Sequence, residues 1–188
     1  MSDEYQERYL AHQQRKREVL ISLINERHST RTFSDEPVGE ALDDLLRAGE
    51  RAPSSCDRRG VAIHVVADRD SKALLGGVLV GGVGWVHRAP VVLLFMADPK
   101  AYKAGDEVAY MPYLDTGAIV GQMYLAVTAL GLRCCFINPN IRESNKKHFH
   151  GTFGPGIFCG ALAVGHPRQL PEAGNKPGQP PLWVWDTA

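Results

Sequence analysis

Apolar positions along this chain keep two different periods. Over residues 4–26 a polar, charged first half leads into Leu20, Leu23 and Ile24 at helical spacing, which predicts one helix. A second is predicted over about residues 39–50, where Leu42, Leu45, Leu46 and Gly49 share one face and Asp43, Asp44 and Arg47 the other. Ala52-Pro53-Ser54-Ser55 ends it, because proline stops helices and serine favours turns. The period then shortens to that of strands. Residues 61–66 are a β-branched run, and residues 90–96 are apolar throughout, as a strand buried on both faces would be. The stretch between them is only weakly helical. Residues 114–130 form the clearest helix: Ile119, Gln122, Met123, Ala126, Ala129 and Leu130 recur at three and four, and Gly131 stands where a left-handed cap is needed. Further strands are predicted at 133–137 and 157–164. Helices and strands alternate irregularly, which suits an α+β sandwich better than a doubly wound sheet. With no repeat and no second domain, residues 1–188 read as a single domain.

Composition narrows the function classes. With 188 residues, 44% hydrophobic and 22% charged, the chain can bury a core, so disordered and fibrous readings fall away. Lys plus Arg and Asp plus Glu are both 21, so there is no basic surplus for nucleic acid, and self-association meets little long-range repulsion. The first twenty residues lack an apolar secretory core, and residues 73–86 are too short and glycine-rich to span a bilayer, so a cytoplasmic protein without membrane contact is expected. Cys56, Cys134, Cys135 and Cys159 form no C-x-x-C pair, which suggests neither a zinc knuckle nor a disulfide framework. Cys134 and Cys135, inside a strand, read as core. The tail from residue 167 is rich in proline and glycine and closes on Leu182-Trp183-Val184-Trp185. Such an end docks on a second copy or folds back on its own subunit.

Candidate chemistry begins at Arg27, Ser29 and Arg31. Residues two apart in an extended loop point the same way, so two guanidinium forks and a hydroxyl would converge, a set that matches phosphate oxygens. The plain alternative is a solvated loop whose arginines pair with Glu26 or Asp35. Pro53-Ser54-Ser55-Cys56-Asp57 offers hydroxyls, backbone N–H groups and a carboxylate to a polar ring edge, or simply ends a helix. Gly76, Gly77, Gly81, Gly82 and Gly84 do not make a phosphate loop, because no Lys-Ser or Lys-Thr follows. They allow a flexible lid or a closely packed segment, with Trp85 and His87 either capping a pocket or covering the core. His148 and His150 have metal-compatible spacing but no carboxylate or cysteine nearby in sequence, so a surface pair is the better reading and no metal is expected.

Taken in order, these features resemble the nitroreductase family of FMN-dependent oxidoreductases. The resemblance rests on Arg27-His28-Ser29-x-Arg31-x-Phe33, Pro37-Val38, Ala52-Pro53-Ser54-Ser55, Ala89-Pro90, Asp115-x-Gly117-Ala118-x-x-x-Gln122, Leu130-Gly131-Leu132, and Ala161-Leu162-Ala163-Val164-Gly165-His166-Pro167. It covers about residues 17–180. It implies a three-layer α+β sandwich with a central, mostly antiparallel sheet, a homodimer with the tail, about 167–188, on the partner, and FMN at the interface. Arg27, His28, Ser29 and Arg31 would then bind the FMN phosphate and ribityl chain, with Arg31 alternatively the cation at flavin N1 and O2. Pro53, Ser54, Ser55 and Asp57 would stand beside the isoalloxazine ring from the partner subunit, Gly165 and His166 near the cofactor, and Lys176 in a late phosphate clamp. The implied activity is hydride transfer from NAD(P)H through flavin N5 to a small organic acceptor, nitroaromatic or quinone-like, in ping-pong fashion. A flavin-binding or flavin-free relative acting only as a binding protein is the alternative.

Three positions depart from the family's pattern. Asp57 replaces a customary Asn, and a carboxylate there must accept from a ring N–H or pair with Arg58 or Arg59. Gly178 stands for the clamp's arginine, and the glycines of 76–84 replace an Asn and a Lys. If Arg58 and Arg59 line the mouth they favour an anionic substrate; otherwise they are surface arginines.

Overall fold

The computed structural model describes residues 3–103 and 105–169. Its centre is a four-stranded antiparallel sheet, β1 (Val61–Val66), β2 (Val91–Ala97), β3 (Arg133–Ile137) and β4 (Ile157–Gly165), in the order β1-β2-β4-β3. The sheet register runs Val61↔Ala97 and Val66↔Val92 between β1 and β2, Val91↔Val164 between β2 and β4, and Arg133↔Gly165 between β3 and β4. All seven residues of β2 are buried, as its unbroken apolar run requires. Val91, Leu93 and Phe95 pack one way, with α2 (Ala41–Glu50) and α4 (Gly105–Ala129), while Val92, Leu94 and Met96 pack the other way, with α3 (Arg69–Val78) and Phe149 of α5 (Glu143–Phe153). The result is helices, sheet, helices. The long α1 (Asp3–Glu26) contacts α4 and lies outside this sandwich.

The predicted strands fall within a residue or two of their positions, and α1 and α2 stand where their spacing put them. Leu45 and Gly49 are buried and Asp43, Asp44 and Arg47 exposed, and Gly131 caps α4 at φ +72°. The sequence reading missed the first nine residues of α4 and the whole of α5. α4 starts nine residues before the predicted 114, running through the buried Pro112, whose carbonyl accepts from the Thr116 hydroxyl at 2.8 Å. Proline normally ends a helical reading; here the surrounding packing carries the helix past it. α5 has a single fully buried anchor, Phe149, among polar neighbours, so its period is faint. His148 and His150 both belong to α5, and His150 Nδ1 meets the Gly154 carbonyl oxygen at 3.1 Å.

The glycine-rich stretch is closely packed in part, at Gly76, Gly81 and Gly82 but not at Gly77 or Gly84. Leu75, Leu79 and Val86 are fully buried, and a Cβ on Gly81 would stand 3.2 Å from Ile137 Cγ2. Asp68 caps α3 by accepting from Ser71 N–H at 2.8 Å. None of the described helices is long and apolar enough to cross a membrane.

Gly160 gives a direct test of the sheet geometry. Its φ is +121°, and an added Cβ would sit 2.4 Å from the Phe136 ring and 2.9 Å from the Ile137 carbonyl oxygen. Strain of about 1–3 kcal/mol follows for Gly160→Ala. At roughly 2–4 °C per kcal/mol for a chain of this size, the thermal midpoint should fall measurably in a calorimetric scan. An unchanged midpoint would contradict this register.

Candidate functional site

The loop after α1 is held along one corner of the sheet. Thr30 N–H donates to the Cys134 carbonyl at 2.9 Å, Ser34 N–H to the His166 carbonyl at 2.9 Å, and Arg168 N–H to the Thr32 carbonyl at 3.3 Å. The predicted residues 27–31 therefore stand beside the end of β4, where Gly165 and His166 lie. A Cβ on Gly165 would meet Pro90 Cδ at 2.5 Å, so glycine there is a packing requirement. His166 Nε2 lies 3.9 Å from Glu36.

The expected convergence is realised in part. Arg27 lies over the Tyr124 ring at 5.4 Å, and Ser29 Oγ is 3.1 Å from the Tyr124 hydroxyl oxygen. That hydroxyl accepts from Phe136 N–H at 2.9 Å, which fixes its position, and burial raises its pKa so that it stays neutral. Arg31 turns instead to Trp85, 5.8 Å from its ring, whose indole N–H donates to the Gly81 carbonyl at 2.9 Å. The loop pairs with the sheet only at isolated bridges, so the strict alternation of a strand does not govern its side chains. Among the described residues neither arginine has a carboxylate partner, and Glu26 accepts from Ser22 at 2.6 Å instead. His28 Nδ1 is 2.8 Å from the Glu26 carbonyl oxygen, while its buried Nε2 has no partner among the described residues.

The second predicted cluster, residues 53–60, is a strained turn. Cys56, Asp57 and Arg59 have φ near +50°, unusual for residues with a side chain, and such backbone persists only where its surroundings over-determine it. Asp115 supplies that determination: buried on α4, it accepts from Ser55 N–H at 2.8 Å and from the Tyr102 hydroxyl at 3.0 Å. Burial and this hydrogen bond push the Tyr102 hydroxyl well above the usual tyrosine range. Arg58 is tied to Glu107 at 2.7 Å, Ser54 Oγ accepts from Arg59 N–H at 3.0 Å, and Asp57 pairs with Arg59 at 3.0 Å on the surface. Of the two partners open to Asp57, the fold selects Arg59. Both arginines are engaged by carboxylates, so neither gives the mouth a free cation. A cleft of about 550 Å³ lined by Leu46, Gly49, Ala52, Ser54, Arg59 and Asp115 adjoins the turn.

Cys56 makes the turn accessible to experiment. It is exposed, whereas Cys134, Cys135 and Cys159 are buried, and burial raises the thiols of Cys134 and Cys159. Thiol titration should therefore find one fast cysteine in the native chain and the other three only after unfolding.

The two clusters occupy diagonally opposite corners of the sheet. The turn precedes Val61, level with Ala97 and Ile157, whereas Ser29 pairs beside Cys134, level with Val164. Seven residues of β4 separate those levels, about 23 Å, and four strand spacings, the last from β3 to the Ser29 loop, add about 19 Å across the sheet. Tyr124, Tyr102 and Asp115 were missed as site residues by sequence reasoning, and Trp85 was read only as a pocket cap or core cover. Asp115 alone had a signal, standing first in a motif that also carries Gly117 and Gln122. Lys176, Gly178, Trp183 and Trp185 lie outside the described residues.

A three-layer α+β sandwich built on an antiparallel sheet defines the class. Residues 24–82 and 79–166 match the sequence model of the nitroreductase family, and the chain belongs to that family. It is 35% identical over 130 residues to the FMN reductase [NAD(P)H] of Bacillus subtilis (strain 168), a match covering 61% of this chain and 51% of that protein. The chain thus spans about half the length of the curated relative it matches. Among solved structures, a Desulfovibrio desulfuricans protein assigned as a nitroreductase, in complex with FMN, is 27% identical with a TM-score of 0.73, covering 87% of this chain and 92% of that one. NfrA2 of B. megaterium is also 27% identical with a TM-score of 0.73, covering 87% of this chain and 71% of that one.

Proposed function

We propose that this chain is an FMN-dependent NAD(P)H oxidoreductase, acting as a homodimer on small organic acceptors of nitroaromatic or quinone type in ping-pong fashion. The observation that carries the reading is Arg27, partly buried on Tyr124 beside Ser29 with no carboxylate among the described residues to neutralise it. Such a cation and hydroxyl fit a phosphate, and a family relative is named for FMN. Bound there, FMN supplies hydride acceptance from the nicotinamide and hydride delivery to the acceptor. The chain's own residues bind and orient. Arg27 and Ser29 hold the phosphate end, the buried His28 Nε2 has no partner among the described residues, and Gly165 and His166 stand beside that loop at the end of β4. Arg31, steadied by Trp85, presents positive charge to the N1–O2 edge of the ring or to the phosphate. Lys176 is assigned to the phosphate by resemblance. We assign no general acid or base.

A second copy accounts for the other half of the site. The turn 53–60 is too far from Arg27 to reach the same cofactor within one chain, and from a partner it would bring Ser54, Ser55 and Asp57 to the ring. α1 supports that assembly: Leu10 is 59% exposed and Ile24 46%, with Tyr5, Tyr9, Leu20 and Ile21 also outside the core. An apolar face of this kind is an association surface. The tail, about 167–188, would complete the dimer, and a cytoplasmic setting suits the unpaired cysteines.

An absorbance spectrum of the purified protein, before and after denaturation, tests the cofactor; flavin bands and about one FMN released per subunit are expected. Sedimentation should give twice the chain mass. Steady-state NAD(P)H oxidation should exceed one turnover per flavin, and a single reduction without turnover would leave only a binding protein.

A further inference from the structure

Loop 31–35, α3 and the turn before β2 enclose a cleft of about 350 Å³ whose lining includes Arg31, Lys72, His87, Arg88 and Arg168, with Asp35 as its one carboxylate among the described residues. Among the described residues neither Lys72 nor any of these three arginines has an acidic partner. In a chain of zero net charge this is a local concentration of positive potential inside a concave wall. A surface serving only solubility intersperses the two signs.

The cleft is also partly pre-organised. Lys72 Nζ donates to the carbonyls of Ala89 at 2.9 Å and Pro90 at 3.0 Å, which pins the ammonium at the wall and leaves one N–H to give. Arg31 is steadied by Trp85, and the backbone of Arg168 is anchored on Thr32. Less side-chain freedom then remains to be lost on binding. Guanidinium forks in this number match the paired oxygens of a phosphate better than a carboxylate on an apolar body.

We propose that this cleft recognises a phosphate group of the nucleotide electron donor, beside the flavin site with which it shares Arg31. This rests on the oxidoreductase reading above. Two phosphates of such a donor have the same chemistry, the ribose 2′-phosphate of NADPH and the pyrophosphate common to NADPH and NADH.

The test uses the FMN-loaded full chain with Arg88→Ser, Arg168→Ser and the double variant, beside Arg47→Ser on α2 as a control. KM and kcat are measured for both donors at low ionic strength, with calorimetric binding of adenosine 2′,5′-bisphosphate and of ADP. The double variant should raise KM about tenfold or more at constant kcat and FMN content, with a shallower dependence on salt. If the 2′-phosphate is the ligand, only NADPH and the bisphosphate weaken; if the pyrophosphate is, both donors and ADP weaken together. Values within twofold of the parent for both donors and both probes would overturn the assignment. So would loss of FMN, since the cleft would then belong to the flavin. Should the parent oxidise neither donor, the oxidoreductase reading fails, and calorimetry still decides: loss of bisphosphate or ADP binding in the double variant supports the cleft, and no binding refutes it.

Discussion

Asp115→Ala should lower the stability of the folded chain by about 2–5 kcal/mol, since it leaves two buried donors, Ser55 N–H and the Tyr102 hydroxyl, without an acceptor. In a thermal melt this is roughly 5–15 °C. The local effect should be larger than the global one. The turn holds three side-chain-bearing residues at positive φ, and without the Asp115 clamp that strain has less to oppose it. Cys56 should therefore label several-fold faster, while Cys134, Cys135 and Cys159 stay protected below the melting temperature. Asp115→Asn keeps an acceptor for Ser55 N–H and should recover much of the loss. Identical melting and labelling in the alanine variant and the parent would refute the clamp. The partner hydroxyl adds a pH signature. A raised tyrosine pKa in the folded state means stability that is complete below the ordinary value of about 10 and lost as pH rises beyond it. Tyr102→Phe should remove that alkaline loss.

Arg27→Ala should weaken FMN binding by about two to three orders of magnitude, the cost of losing a charge-assisted, two-pronged contact in a partly buried site. The fold should tolerate it, because Arg27 has no carboxylate partner among the described residues and its ring contact with Tyr124 is the interaction lost. Arg27→Lys keeps the charge but not the fork, so intermediate affinity is expected. Fluorescence quenching of FMN titrated with apoprotein measures all three. Affinity within twofold of the parent would place the phosphate elsewhere.

The two clusters differ in how far they could be read. Arg27, Ser29 and Arg31 were legible as a set because a hydroxyl midway between two guanidinium groups matches phosphate oxygens, although a solvated loop fitted the same residues. Asp57 was legible as a carboxylate needing a partner, and adjacency in sequence limited the choice to two arginines. Tyr124 was not legible: on α4 it looks like one more helical residue, and only the approach of Ser29, 95 positions away, gives it a role. Asp115 was hidden for the same reason, and so was the partner of Trp85, Arg31, since these contacts come from other elements. Pro112 and the single anchor of α5 misled in the opposite direction, local signals being outweighed by packing.

Taken alone, the sequence determined what depends on neighbours along the chain. The β-branched and apolar runs specify four strands, the three-and-four spacing specifies the helical faces, and Gly131 specifies an end, because backbone sterics and burial act locally. The tertiary structure alone decided which groups meet. It placed Arg27 on Tyr124 and Arg31 on Trp85, buried Asp115 under a strained turn, and set that turn at the opposite corner of the sheet from Arg27. Strand order and register carry that information, and both arise from long-range packing that no window of sequence contains.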